Sequence, residues 1–155
     1  MSVLDFLQRR RSEKALEDLL SAYPQLIAPG LKNPRRQEVL SRASRTDLVF
    51  YFPKRVVVVE IKRGLAGVAA LRQLERYLRE HRGRGFKVEG ILLAHRFNPA
   101  CLEARKASHW NLSCKCLDRD VPVNIVICAN CREPRDRRVE RCSHDGSTEV
   151  LNLHP

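Results

Sequence analysis

The first apolar positions of the chain recur at intervals of three and four residues. They are Ala15, Leu16, Leu19, Leu20 and Tyr23. This spacing predicts a helix that buries one face. Ser12 is suited to cap its first turn, and the helix should end at Tyr23 because the residue before a proline avoids the helical conformation.

Three β-rich runs follow this helix, at about 37–40, 46–52 and 56–61. The Pro53-Lys54 pair supplies the turn between the second and third runs. The third run is almost entirely apolar, which is typical of a central strand with both faces buried.

The pattern then alternates between the helical and the extended period. It predicts a helix from about Val68 to Arg82, a strand at Val88–Ala94, a helix at about 99–108 and a fifth strand within 110–117. This order is typical of α/β layers. Past Asp118 the helix-length apolar patterns stop, so we expect a core over residues 1–118 and a small cysteine-rich appendix over 119–155.

Composition narrows the class of protein. The chain has 155 residues, enough for one domain of ordinary size. It is 43% hydrophobic, which excludes intrinsic disorder. Lys plus Arg number 29 against 18 Asp plus Glu, so the formal net charge is +11. Such a charge favours a polyanionic partner, DNA or RNA above all, with a generic basic surface as the alternative.

The sequence also predicts where the protein works. No stretch approaches the roughly 18 consecutive apolar residues that a membrane span needs, and residues 1–9 lack the regions of a secretion signal. We therefore expect a cytoplasmic protein without a membrane partner. In that reducing compartment its six cysteines suit metal binding better than disulfides.

A set of charged residues interrupts the apolar strands. Asp47 lies in the second run, and Glu60 and Lys62 lie two residues apart at the end of the third, which puts them on one face. Carboxylates suit Mg²⁺, and a lysine can orient the attacking water or stabilise developing negative charge. The alternative is a solvated ion pair at a strand end, with Asp47 as a turn residue.

The order of several motifs resembles a known family of nucleases. Asp47 with Glu60-Ile61-Lys62 is similar to the signature of the PD-(D/E)xK superfamily. More narrowly, residues 12 to about 118 resemble the catalytic domain of the NucS/EndoMS endonucleases. The stretches that carry this resemblance are Ser12–Leu16, Tyr23–Ile27, Arg45–Leu48, Val58–Arg63, Gln73–Tyr77 and Gly90–Ala94.

The resemblance implies a fold and a set of roles. The fold is a restriction-endonuclease-like α/β core, with a mixed central β-sheet flanked by helices. Asp47 and Glu60 would bind Mg²⁺ or Mn²⁺, Lys62 would position the water, and Glu13 would complete the acidic cluster, with Glu17 as the competing choice. The resemblance also places Gln73 and Tyr77 beside the site. Arg45, Arg63 and Arg72 are candidate phosphate contacts, with a solvated surface as the alternative.

The cysteines of the appendix have the spacing of zinc ligands. Cys128-x-x-Cys131 and Cys142-x-His144 together predict one structural Zn²⁺ site. Cys114 and Cys116 are an alternative to the second pair. Free buried thiols with a loop histidine are the other interpretation.

The sequence therefore predicts a Mg²⁺- or Mn²⁺-dependent DNA endonuclease. The alternative is a non-catalytic nucleic-acid-binding module with a structural zinc site. A homodimer would be needed to cut both strands at once with one site per chain. The preferred DNA structure and the pathway, whether repair, phage replication or defence, stay open at this level.

Overall fold

The computed structural model of the chain describes residues 13–41, 44–120 and 125–151. Ser12, the predicted helix cap, lies outside these ranges, and of Ala15 only the backbone is described. The helices are α1 (Glu13–Ala22), α2 (Val68–Gly83), α3 (Pro99–Ala107) and the short α4 (Leu117–Asp120), with a 3₁₀ turn at Pro24–Leu26. The strands are β1 (Arg35–Ser41), β2 (Ser44–Tyr51), β3 (Arg55–Ala66), β4 (Lys87–Phe97), β5 (Leu112–Cys116), β6 (Ile125–Ile127) and β7 (Pro134–Asp136).

A five-stranded sheet with the order β1-β2-β3-β4-β5 forms the centre of the fold. The first three strands are antiparallel neighbours, whereas β3, β4 and β5 run parallel to one another. The parallel steps are possible because α2 and α3 provide the long crossovers that such pairs need. The predicted mixed sheet with flanking helices is therefore confirmed.

Alternation along β3 divides the core into two layers. Val57, Val59 and Ile61 face the layer that contains α1. Val56 and Val58 face the layer that contains α2. Both sets are buried, so the sheet is covered on both faces, as its continuous apolar run predicts.

The segment after α4 packs against the α1 side of the sheet. Ile125 and Ile127 of β6 belong to the same buried cluster as Leu16 and Leu20 of α1. β6 and β7 pair in a small sheet, and Cys128, Cys131 and Cys142 lie in the turns that follow these two strands. Among the helices of the described residues, none combines the length and apolarity needed to cross a membrane.

Candidate functional site

The candidate site lies where β2 separates from β3. The last paired positions of the two strands are Leu48 and Val59, and Asp47 and Glu60 are the next residue on each. The backbone N–H of Ile61, freed from the strand pairing, donates instead to Asp47 Oδ2 at 2.8 Å. The separation thus brings the two predicted carboxylates to one place.

Glu60 is almost completely buried, with 2% of its surface exposed. Its Oε1 lies 3.5 Å from the ammonium of Lys62, which is 30% exposed. Its Oε2 is buried and has no hydrogen-bond partner among the described residues. A buried carboxylate oxygen without a partner is costly, so this atom favours a proton or a bound cation.

Burial also controls the protonation of both carboxyl groups. Desolvation raises the pKa of Glu60 to about 8, and the negative charge of Asp47 adds to the increase, against the opposing effect of Lys62. Desolvation likewise raises the pKa of Asp47, although the hydrogen bond from Ile61 opposes it. Both carboxyl groups therefore resist ionisation, and a divalent cation bound beside them would stabilise their charged forms.

The two acidic residues of α1 differ in their surroundings. Glu17 is buried, and its oxygens accept from Arg36 Nε at 3.0 Å and from Gln37 Nε2 at 2.7 Å. Glu13 is exposed and accepts from the backbone N–H of Arg63 at 3.3 Å. Both approach the site, but only Glu17 is fully engaged by neighbouring side chains.

Gln37 is a site residue that the sequence did not reveal. It lies opposite Asp47 in the ladder between β1 and β2, and its Nε2 lies 3.4 Å from Asp47 Oδ1. Its backbone φ of 50° is in the left-handed region, which is uncommon for a residue other than glycine. No motif marks it, because a single polar residue in a strand carries no signal of its own.

Gln73 and Tyr77 lie on one face of α2, as their spacing predicts. Gln73 Nε2 donates to the Tyr77 hydroxyl, which in turn donates to the backbone carbonyl of Arg45 at 2.8 Å. The pair therefore ties α2 to the start of β2, two residues before Asp47. Desolvation raises the pKa of the Tyr77 hydroxyl, so it stays a donor at neutral pH.

The three candidate phosphate contacts are all exposed. Arg45 and Arg63 flank the site on β2 and β3. Arg72, the residue directly before Gln73 on α2, is ion-paired with Glu75 at 2.8 Å.

The cysteines of the C-terminal segment form a second cluster. Ligand atoms of Cys128, Cys131, Cys142 and Asp145 all lie within 4.8 Å of one another. His144 is exposed and is not part of the group. The three predicted cysteines therefore lie together, and the structure places Asp145 beside them in the position where the sequence analysis expected His144.

The alternative pair lies elsewhere. Cys114 and Cys116 lie on β5, and the Cys116 thiol donates to the carbonyl of His95 at 3.1 Å. Cys114 interacts with Cys101, and burial raises its pKa to about 11. Neither belongs to the compact group of ligands found among the described residues.

The chain is thus a mixed α/β domain in which two carboxylates and a lysine lie together where β2 separates from β3. The sequence profile of the endonuclease NucS C-terminal domain matches residues 12–130. The chain belongs to this family.

Individual relatives agree with this assignment. Endonuclease NucS of Methanopyrus kandleri is 40% identical over 93 residues, which are 59% of this chain and 35% of that protein. A repair endonuclease from Pyrococcus abyssi superposes with a TM-score of 0.61 at 26% identity, over 69% of this chain and 47% of the other. An EndoMS–dsDNA complex gives a TM-score of 0.59 at 26% identity, over 68% and 44%. The chain thus spans about a third of the curated relative and less than half of the solved structures.

Proposed function

We propose that this chain is the nuclease domain of a metal-dependent DNA endonuclease, with a PD-(D/E)xK site on a restriction-endonuclease-like core. The observation that carries the proposal is the convergence of Asp47 with Glu60 and Lys62 where β2 leaves β3. The relatives support it, since they are named endonucleases and one structural neighbour is a complex with dsDNA.

Asp47 and Glu60 would hold Mg²⁺ or Mn²⁺. The fit rests on the unpartnered Oε2 of Glu60 and on the charge of two adjacent carboxylates. Mg²⁺ commonly takes only one or two protein carboxylates and fills its other positions with water and phosphate oxygens. A bound divalent ion lowers the pKa of a coordinated water and offsets the charge of the phosphate.

The protein side chains supply the positioning. Lys62 keeps its ammonium beside Glu60 and partly exposed, where it can hold the attacking water or stabilise negative charge on a phosphate oxygen. Gln37 links Glu17 to Asp47 and so orients the Asp47 carboxylate. Glu13, exposed and free of side-chain partners in the described contacts, is the better candidate for a further acidic group facing substrate.

We assign DNA binding to the exposed arginines around this site. Arg45 and Arg63 are exposed beside the carboxylates, and Arg72 shares its charge with Glu75. Arginines on phosphate give affinity without reading the base sequence. One site per chain nicks one strand, so double-strand cleavage requires two copies.

The test is cleavage of single-stranded, duplex and branched DNA with Mg²⁺, Mn²⁺ or a chelator. Asp47→Asn, Glu60→Gln and Lys62→Ala should each lower the cleavage rate by about 100-fold or more, while DNA binding persists because the arginines remain. Glu103→Gln on α3 is the matched control, since Glu103 is exposed and contacts only Lys106 among the described pairs.

Two results would contradict the assignment. Cleavage in chelator would exclude the metal, and wild-type rates in both carboxylate variants would exclude the site. Tight DNA binding without cleavage in any metal would instead favour the non-catalytic binding module.

A further inference from the structure

The two halves of the cysteine cluster are built alike. Residues 128–133 read Cys-Ala-Asn-Cys-Arg-Glu and residues 142–147 read Cys-Ser-His-Asp-Gly-Ser. Each begins with a buried cysteine and is followed, four residues on, by a residue in the left-handed region. These are Arg132, with a φ of 66°, and Gly146, with a φ of 74°.

The backbone hydrogen bonds of the two segments also match. The N–H of Arg132 donates to the carbonyl of Cys128 at 3.1 Å, and the N–H of Gly146 donates to that of Cys142 at 2.8 Å. The N–H of each leading cysteine donates to the residue five positions on, over 2.9 Å for Cys128 and 2.8 Å for Cys142. The two segments are therefore equivalent turns, with the first and fourth positions pointing at a common centre.

This equivalence identifies the fourth member of the cluster. Asp145 takes the position that Cys131 takes in the first turn, whereas His144 corresponds to Asn130, a position that carries no ligand. Asp145 Oδ2 accepts from Asn130 Nδ2 at 2.8 Å, and its Oδ1 accepts from the N–H of Ser147 at 2.9 Å. The carboxylate is thus held in place with lone pairs to spare.

The spacings fit a tetrahedral ion. For Zn–S of about 2.3 Å and Zn–O of about 2.0 Å, a regular tetrahedron has edges of roughly 3.8 Å between sulfurs and 3.5 Å between sulfur and oxygen. The Cys131 and Cys142 sulfurs are 3.5 Å apart, and the Cys128 sulfur is 3.6 Å from Asp145 Oδ2. A disulfide is excluded in this state because its S–S bond measures about 2.05 Å.

We infer that Cys128, Cys131, Cys142 and Asp145 bind one zinc ion between two matching turns, as a closed site with a structural role. Four protein ligands without an open position are typical of structural rather than catalytic zinc. Binding releases the three thiol protons to solvent, so the loaded site carries two negative charges.

The ion would hold the C-terminal segment against the core. In the first turn, Cys128 forms a bridge with Val150, and the next residue, Leu151, packs against the core cluster that contains Leu16. In the second, Ser143 Oγ lies 3.5 Å from the hydroxyl of Tyr23, which directly follows α1. Between them, Arg138 donates to the carbonyl of Gln25 at 3.3 Å. Loss of the ion would loosen these contacts and leave the five-stranded sheet in place.

The first experiment is elemental analysis and Co²⁺ titration of the full chain purified under reducing conditions without chelator. One zinc per chain is expected. His144→Ala and Cys116→Ser should keep it, whereas Asp145→Ala should weaken metal binding by about tenfold or more, since a ligand is lost.

The decisive variant exchanges the fourth ligand for a thiolate instead of removing it. Asp145→Cys should retain the metal, bind it more tightly, and raise the sulfur-to-cobalt charge-transfer absorption by about a third, because four thiolates replace three. A stronger charge-transfer absorption requires a folded protein that binds cobalt. The test therefore does not depend on whether Cys128→Ser remains soluble.

Three results would overturn the inference. One is a wild-type protein without stoichiometric metal, or with a Cys131–Cys142 disulfide in its place. Another is metal loss in His144→Ala as complete as in Cys128→Ser, which would restore histidine as the ligand. The third is an unchanged cobalt spectrum in Asp145→Cys.

Discussion

Replacing Glu60 by Gln should make the metal-free protein more stable although it removes a proposed ligand. The buried carboxyl group of Glu60 has a pKa of about 8, against an ordinary value of 4.5. The folded state therefore holds this proton more tightly than the unfolded state does. The stability that results is complete below about pH 4.5 and is lost as the pH rises through 8.

The size of the effect follows from these two values. At pH 7 the ionisation of Glu60 in the unfolded state has removed about 3 kcal/mol of that stability, and at pH 5 it has removed less than about 1 kcal/mol. Loss of the contact with Lys62 offsets about 1 kcal/mol of the gain. Glu60→Gln should then be about 2 kcal/mol more stable than the wild type at pH 7, and equal to it at pH 5.

Urea unfolding at pH 5, 7 and 8, in chelator and in Mg²⁺, measures this difference. Magnesium at ten times its dissociation constant should stabilise the wild type by about 1.4 kcal/mol and the variant hardly at all. Glu103→Gln, the same change at an exposed position, should follow the wild type throughout.

The reasoning fails if Glu60→Gln has the same pH dependence as the wild type, or is less stable at pH 8 without metal. It also fails if Mg²⁺ stabilises both proteins equally, because the ion would then bind elsewhere.

Two further substitutions test a buried histidine and the tyrosine that contacts the start of β2. His81 is fully buried between the rings of Tyr51 and Phe86, neither ring nitrogen has a hydrogen-bond partner among the described residues, and burial lowers its pKa. His81→Phe should raise the unfolding free energy by about 1–2 kcal/mol. The gain should grow below pH 6.5, because the unfolded histidine then binds a proton that the folded histidine resists. Urea unfolding at pH 5 and pH 7.5 measures this gain, and an equal gain at both pH values would refute the reasoning. Tyr77→Phe removes the hydrogen bond to the carbonyl of Arg45 and should cost about 1 kcal/mol of stability. It should also lower the DNA cleavage rate at a temperature where the variant is fully folded, and a wild-type rate there would exclude a positioning role.

The helices and strands of the core follow from local periodicity. The apolar run at 56–61 and the helical stripe from Val68 require only the neighbouring residues, because alternation and the 3.6-residue period are properties of the backbone. The observed strands extend beyond those predictions at their ends, where β3 continues to Ala66 and β4 to Phe97. There, pairing with a neighbouring strand holds residues that have little β preference of their own.

The spacing of Asp47, Glu60 and Lys62 also follows from the sequence, since a hairpin brings the first beside the other two. Their roles stay predictions. The sequence left Glu13 and Glu17 as competing choices because both lie on the first turns of one helix. Only the docking of α1 places Glu17 against Arg36 and Gln37 and leaves Glu13 exposed.

The cysteine cluster shows most clearly what the sequence alone does not determine. Cys128, Cys131 and Cys142 were identified from spacing alone, because thiolates so close together suit one ion. The Cys-x-His spacing favours His144 as the fourth ligand, because histidine is a common zinc ligand. The tertiary structure instead brings Asp145 to the three cysteines, because two equivalent turns direct their first and fourth side chains to one centre and His144 occupies the third position.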